Sequence, residues 1–172
     1  GKTLIMGGLI KSLGNKKMVI LFNSKQLLKQ SYDFLKDICN IENIGLCFGE
    51  GYIYGDIMLC TVQSIEKIID THLETAEVLI SETQSNLMEW TLPAIESFPK
   101  AIWRFGFTAT IPSEPIKKYA LEGALGGTIK SVSTKELVDK GKLTKPIIQI
   151  IEREYLADGE DIHENYIEIY DK

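Results

Sequence analysis

Residues 17–36 read KMVILFNSKQLLKQSYDFLK. The first six are short, continuous, apolar and rich in β-formers, the pattern of a strand buried on both faces. Asn23 and Ser24 then break the run. From Ser24 onward, Leu27, Leu28, Tyr32 and Leu35 recur at helical spacing. Ser24 is the residue type that caps a helix start, because its hydroxyl accepts from a free backbone N–H. A buried strand running directly into an amphipathic helix is half of a parallel crossover unit. It sets the expectation for the rest of the chain.

The same alternation continues in both directions. Residues 3–13 read as a helix that stops at Gly14. Residues 44–48 and 56–60 read as strands around a Gly-rich turn, 49–55, and 63–70 as helical. Residues 77–81 (EVLIS) form another continuous apolar run, followed by a helical stretch to Phe98 and a strand over 101–107. A helix is expected over 113–121 with Pro115 in its first turn. Beyond it come a strand over 126–132, a short helix over 134–140 ending at Gly141, a strand over 145–155 and a last helix over 162–170. The fold class is therefore α/β: a mostly parallel sheet with helices on both faces. In such sheets ligands sit beyond the carboxyl ends of the strands.

Composition bounds the function classes. The chain has 172 residues, 44% of them hydrophobic and 25% charged, which fits one ordinary globular domain. No run is long enough to cross a membrane, and no signal peptide is visible. The net charge of −5 argues against bulk electrostatic binding to nucleic acid, though not against a local contact surface. Cys39, Cys47 and Cys60 lack metal-site spacing and read as reduced, buried thiols.

Four places lie where the chemistry of an α/β sheet should be. Gly1-Lys2-Thr3 precedes a helix, and a lysine with a hydroxyl at a helix start suits a nucleotide's phosphates and Mg²⁺. By itself this tripeptide is also compatible with a frayed terminus. Asn23-Ser24-Lys25-Gln26-Leu27 follows the strand ending at Phe22; its alternative is a plain cap beside a solvated lysine. Ser81-Glu82-Thr83-Gln84 follows a buried strand, where nucleotide enzymes place a metal ligand or water-activating base. Its alternative is a surface glutamate opening a loop. Thr108-Ala109-Thr110 follows Phe107 and is equally a turn closed by hydroxyl hydrogen bonds and Pro112.

Taken in order, with TVQSI at 61–65, these stretches resemble motifs I, Ia, Ic, II and III of superfamily 2 helicases of the DEAD/DEAH type. GGTIKSVSTKELVDKGKLTKP, residues 126–146, resembles the end of their first domain. The likeness is greatest to phage-type DNA helicases and to the motor subunits of restriction enzymes. It implies a RecA-like P-loop domain over residues 1–150, lacking its N-terminal strand and P-loop glycines. Residues 151–172 would be a linker and the start of a second domain. By this resemblance Gly1, Lys2 and Thr3 bind ATP, Thr3 and Ser81 hold Mg²⁺, and Glu82 activates the attacking water. Gln84, Thr108 and Thr110 couple the nucleotide to the nucleic-acid site, and Ser24, Lys25, Thr61 and Gln63 contact the strand, taken to be DNA. The implied partners are nucleic acid and the second helicase domain, in the cytoplasm of a bacterial or phage-infected cell.

The chain also departs from the family pattern. Ser81 stands where the family carries Asp, so a metal-holding charge is missing. Gln84 stands where Asp or His is commoner. The upstream glycines and the arginine-bearing second domain are not in the sequence, so this chain alone is expected to bind nucleotide poorly and to turn it over hardly at all. A non-catalytic remnant or pseudo-ATPase that binds nucleic acid or a partner is the competing reading. A P-loop kinase is a third, disfavoured by the NSKQL and TAT elements.

Overall fold

The run MVILF decides the architecture because it lies at the middle of the sheet. In the computed structural model, which describes residues 1–83, 88–108, 111–129 and 134–144, strand β1 (Met18–Phe22) pairs in parallel with β4 (Ile57–Thr61) on one side and β5 (Val78–Glu82) on the other. All five of its residues are at most 1% exposed. Strand β2 (Ile44–Phe48) extends the sheet beside β4, and β6 (Trp103–Phe107) extends it beside β5, both in parallel. A three-residue strand, β3 (Gly51–Ile53), closes the far edge antiparallel to β2. The order is β3-β2-β4-β1-β5-β6.

Helices cover both faces. Helix α1 (Lys2–Leu13) and α2 (Lys25–Asp33), the latter running into a π-helical turn at Phe34–Ile38, lie on one side. Met6, Ile10, Leu28 and Leu35 pack there on Met18, Ile20, Phe22 and Ile80. On the other side Ile68, Ile95 and Phe98 pack on Val19, Leu21, Met58 and Leu79. Ile68 ends the helical turns at Val62–Ile68, Ile95 lies in α3 (Met88–Glu96) and Phe98 just beyond it, and Leu73, from the turn at Ile69–Leu73, packs against the same cluster. Helix α4 (Pro115–Leu125) adds Ala124 and Leu125 to this side. Successive residues of a strand face opposite sides, so the continuous apolar runs serve two cores at once. Each fully buried Leu, Ile, Met or Phe contributes about 1.5–3 kcal/mol.

Among the described residues the expected elements stand with adjusted edges and three differences. The Gly-rich turn 49–55 contains β3. There Gly45 and Gly55 approach so closely that a Cβ on Gly55 would lie 2.2 Å from the Gly45 nitrogen. Segment 63–70 is helical in tight 3₁₀ and wide π turns, not as an α-helix. Residues 126–129 form no strand. Helix α4 continues past 121 to Leu125, ending at Gly126, whose φ of 94° only glycine adopts readily.

Residues Gly1–Ile129 form one compact unit. Within 130–172, the described residues include helix α5 (Thr134–Asp139), followed by Gly141 at φ 64°. The strands and helix expected over 130–132, 145–155 and 162–170, and the expected boundary at 150, lie outside the described residues. Among the described residues no helix is long and apolar enough to cross a membrane.

Candidate functional site

The carboxyl ends of β1, β4, β5 and β6 gather the candidate residues. Helix α1 begins at Lys2, with Gly1 at its N-cap position. The Lys2 ammonium donates to Glu82 Oε1 at 2.5 Å, across eighty residues of sequence. The lysine side chain is 42% exposed and the glutamate 13%. The pair therefore sits at the surface, with the ammonium open to solvent and the carboxylate largely covered. Thr3 is half-buried in the first turn of the same helix. The first N–H groups of a helix have no partner within it, and their dipoles favour a negative ligand. An ammonium from such a helix start thus meets one carboxylate, and a hydroxyl follows it in the same turn.

Ser81 is placed differently. It is fully buried, and strand alternation sends its side chain to the α3 face, with Leu79, while Glu82 faces the α1 side. Its hydroxyl and that of Thr83 are buried and have no hydrogen-bond partner among the described residues. Thr83 is tied through its backbone, donating to the Phe107 carbonyl at 2.9 Å. Thr108 is half-buried one residue beyond Phe107, which pairs with Glu82. Gln84 and Thr110 lie outside the described residues.

The turn after β1 is fixed by its own side chains. Ser24 accepts from Leu27 N at 3.2 Å, the predicted cap. Asn23 donates from Nδ2 to the Glu82 carbonyl at 3.1 Å and accepts from Thr91 on α3 at 3.0 Å. The sequence offered no sign of either bond.

The remaining candidates cluster beside α2 and β2. Thr61 is buried and donates to Ser64 Oγ at 3.0 Å, and Ser64 Oγ accepts from Gly49 N. The Thr61 hydroxyl is thus committed to the fold, whereas Gln63 is exposed. Lys25 lies 4.9 Å from the centre of the Phe48 ring and Lys29 5.4 Å, so two cations share one aromatic ring. Lys67 donates to the Gly49 carbonyl. Three lysines and an aromatic ring thus form a local basic edge on an acidic chain. Phe48, Lys29 and Lys67 escaped the sequence reading because they belong to three separate elements. Among the described residues no group of three His, Cys, Asp or Glu side chains is arranged to hold a metal ion. All three cysteines are free and buried, as expected.

No protein-family model matches the chain, and no curated protein does. Solved structures do. The chain is similar to a hypothetical ATP-dependent RNA helicase from Sulfolobus tokodaii, with TM-score 0.60, 17% identity and coverage of 73% of this chain and 42% of that one. It matches the Pyrococcus furiosus Hef helicase domain with TM-score 0.61 and 18% identity, over 73% of this chain and 31% of that one. It matches the UvsW helicase from bacteriophage T4 with TM-score 0.54 and 17% identity, over 73% of this chain and 48% of that one. The fold is the RecA-like one that these helicase structures share. The chain spans less than half the length of these structures.

Proposed function

We propose that this chain is the ATP-binding domain of a nucleic-acid-dependent ATPase, a DNA helicase or translocase of superfamily 2. The finer reading, from its motifs, is a phage-type helicase or restriction-enzyme motor. The observation that carries the proposal is the Lys2–Glu82 pair, which joins a helix start to the end of an inner strand in a helicase-like fold. Lys2 is the group that meets the β- and γ-phosphates. On nucleotide binding its ammonium exchanges the carboxylate for phosphate oxygens, which frees Glu82 to orient a water.

The donors present suit magnesium brought in as a nucleotide complex. Mg²⁺ keeps several waters and binds phosphates with one or two protein oxygens. Thr3 is the hydroxyl ligand on the Lys2 side, and Glu82 is the nearby carboxylate. The ion neutralises phosphate charge when bound. The strand path runs over the basic edge, where Lys25, Lys29 and Lys67 meet phosphates and Phe48 offers a stacking face. Ser24 and Gln63 flank it. A second domain supplies the remaining transition-state contacts.

The test is ATP hydrolysis by the complete gene product, with and without single-stranded DNA, duplex DNA and RNA. DNA is expected to stimulate the rate. Glu82→Gln is expected to lower turnover by about 10²-fold or more while nucleotide still binds. A wild-type protein that binds neither nucleotide nor nucleic acid overturns the proposal. The buried, uncharged Ser81 favours one second reading, nucleotide-dependent binding without turnover. Nucleotide binding by the wild type with no hydrolysis under any condition would establish it.

A further inference from the structure

The side chain of Asn23 is the one polar bridge in the described residues that joins the β1–α2 turn, the end of β5 and helix α3. Its orientation follows from chemistry. The Glu82 carbonyl can only accept, so the amide NH₂ faces it, at 3.1 Å. The amide oxygen then accepts from the Thr91 hydroxyl, at 3.0 Å. Thr91 is 1% exposed and Asn23 half-buried, so the bridge is partly shielded from water. Breaking it would leave the buried Thr91 hydroxyl without this acceptor, which favours the observed geometry.

Each end of the bridge is tied to something that matters. Ser24, the next residue, caps α2 through Leu27 N, so the turn and the helix carrying Lys25 and Lys29 move together. Glu82 carries Lys2 on its side chain while Asn23 holds its main chain. The contacts therefore run without a gap from the basic edge through Ser24 and Asn23 to Glu82 and Lys2. These contacts offer a path by which a displacement of α2 would reach the main chain of Glu82.

We propose that Asn23 is a positioning residue that couples nucleic-acid binding at the α2 edge to the state of the Lys2–Glu82 pair. This rests on the nucleotide reading of that pair. Coupling of this kind is reciprocal: nucleotide changes strand affinity by the same factor as strand changes nucleotide affinity.

The experiment measures the affinity of the complete gene product for a fluorescently labelled single-stranded DNA, with and without saturating Mg²⁺ and a non-hydrolysable ATP analogue. The wild type is expected to show a change of about fivefold or more between the two conditions. Asn23→Asp keeps the shape but loses the donor to Glu82. It is expected to reduce the change to less than about twofold, while DNA affinity without nucleotide stays within about twofold of wild type. A purely structural role would weaken both affinities and leave their ratio unchanged. Thr91→Val removes the other half of the bridge and is expected to lower the ratio in the same direction. It also carries the test if the first variant does not fold.

An active wild type in which both variants keep the full ratio overturns the proposal and leaves the nucleotide reading standing. A wild type that binds no nucleotide overturns both.

Discussion

Two corners of the sheet are built on opposite rules. At the β2–β3–β4 corner the buried polar side chains Thr61, Ser64 and His72 all have partners. His72 is fully buried, with Nε2 on the Gly55 carbonyl at 2.8 Å and Nδ1 on Thr71 Oγ1 at 2.9 Å. Asn43 donates to Asp56 Oδ2 at 2.5 Å and accepts from its backbone. Gly45 and Gly55 touch through their backbones. At the end of β5, two buried hydroxyls have no partner among the described residues, and a charged pair stands half open. The first corner is optimised for the fold. The second keeps unpaired polar groups, which stability alone disfavours, and such places are where function is found.

The largest test of this contrast is Gly55→Ala. A methyl there meets Gly45 and Asn43 backbone atoms at 2.2–2.6 Å, and backbone cannot step aside as a flexible side chain does. We expect a loss of about 3 kcal/mol, read by urea denaturation. A loss below about 1 kcal/mol would show that the corner is looser than its contacts imply.

The next effect is pH-dependent. Burial is the main cause that lowers the His72 pKa, with the Lys17 charge adding to it and the Gly55 carbonyl and Asp56 opposing. The folded state therefore prefers the neutral ring, with its proton on Nε2. The histidine's contribution is complete above its unfolded value, about 6.5. Below that the unfolded chain takes up the proton first, so stability falls as pH drops toward the folded value. Unfolding midpoints between pH 8 and 5 check this, and His72→Gln should remove that part of the slope.

Smaller effects are expected at the β5 end. Ser81→Ala deletes an unpartnered buried hydroxyl and should raise stability by about 1 kcal/mol. A fall instead would mean that a water or ligand satisfies Ser81. Lys2→Ala should change stability by less than about 1 kcal/mol, since a half-exposed ion pair contributes little in water. If the nucleotide reading holds, the same variant should abolish tight nucleotide binding. A large stability loss with unchanged nucleotide binding would move Lys2 into the architecture of the first corner.

The readability of the sequence follows the same divide. Strands β1 and β5 were legible because burial on both faces demands unbroken apolar runs, and Ser24 announced α2 through its capping chemistry. Strand β3 was not legible, since three residues beginning with Gly51 carry no period. Residues 63–70 showed a helical rhythm, but that rhythm does not distinguish an α-helix from the 3₁₀ and π turns that span 62–73. At the candidate site, Lys2, Ser24 and Glu82 could be named from position after or before an element. The Lys2–Glu82 contact, the Asn23 bridge and the basic edge around Phe48 depend on which strands become neighbours. That order is set by the sheet, not by spacing along the chain. Ser81 shows the limit from the other side: its place beside Glu82 in sequence puts it on the opposite face in space.

The position of β1 also bears on how the chain is made. This strand precedes both of its neighbours, which begin at Ile57 and Val78. During synthesis MVILF is therefore made before either partner, and its pairing on both sides is complete only once β5 has followed. Contacts so distant along the chain slow folding, because the intervening loops must close before the pairing rewards them.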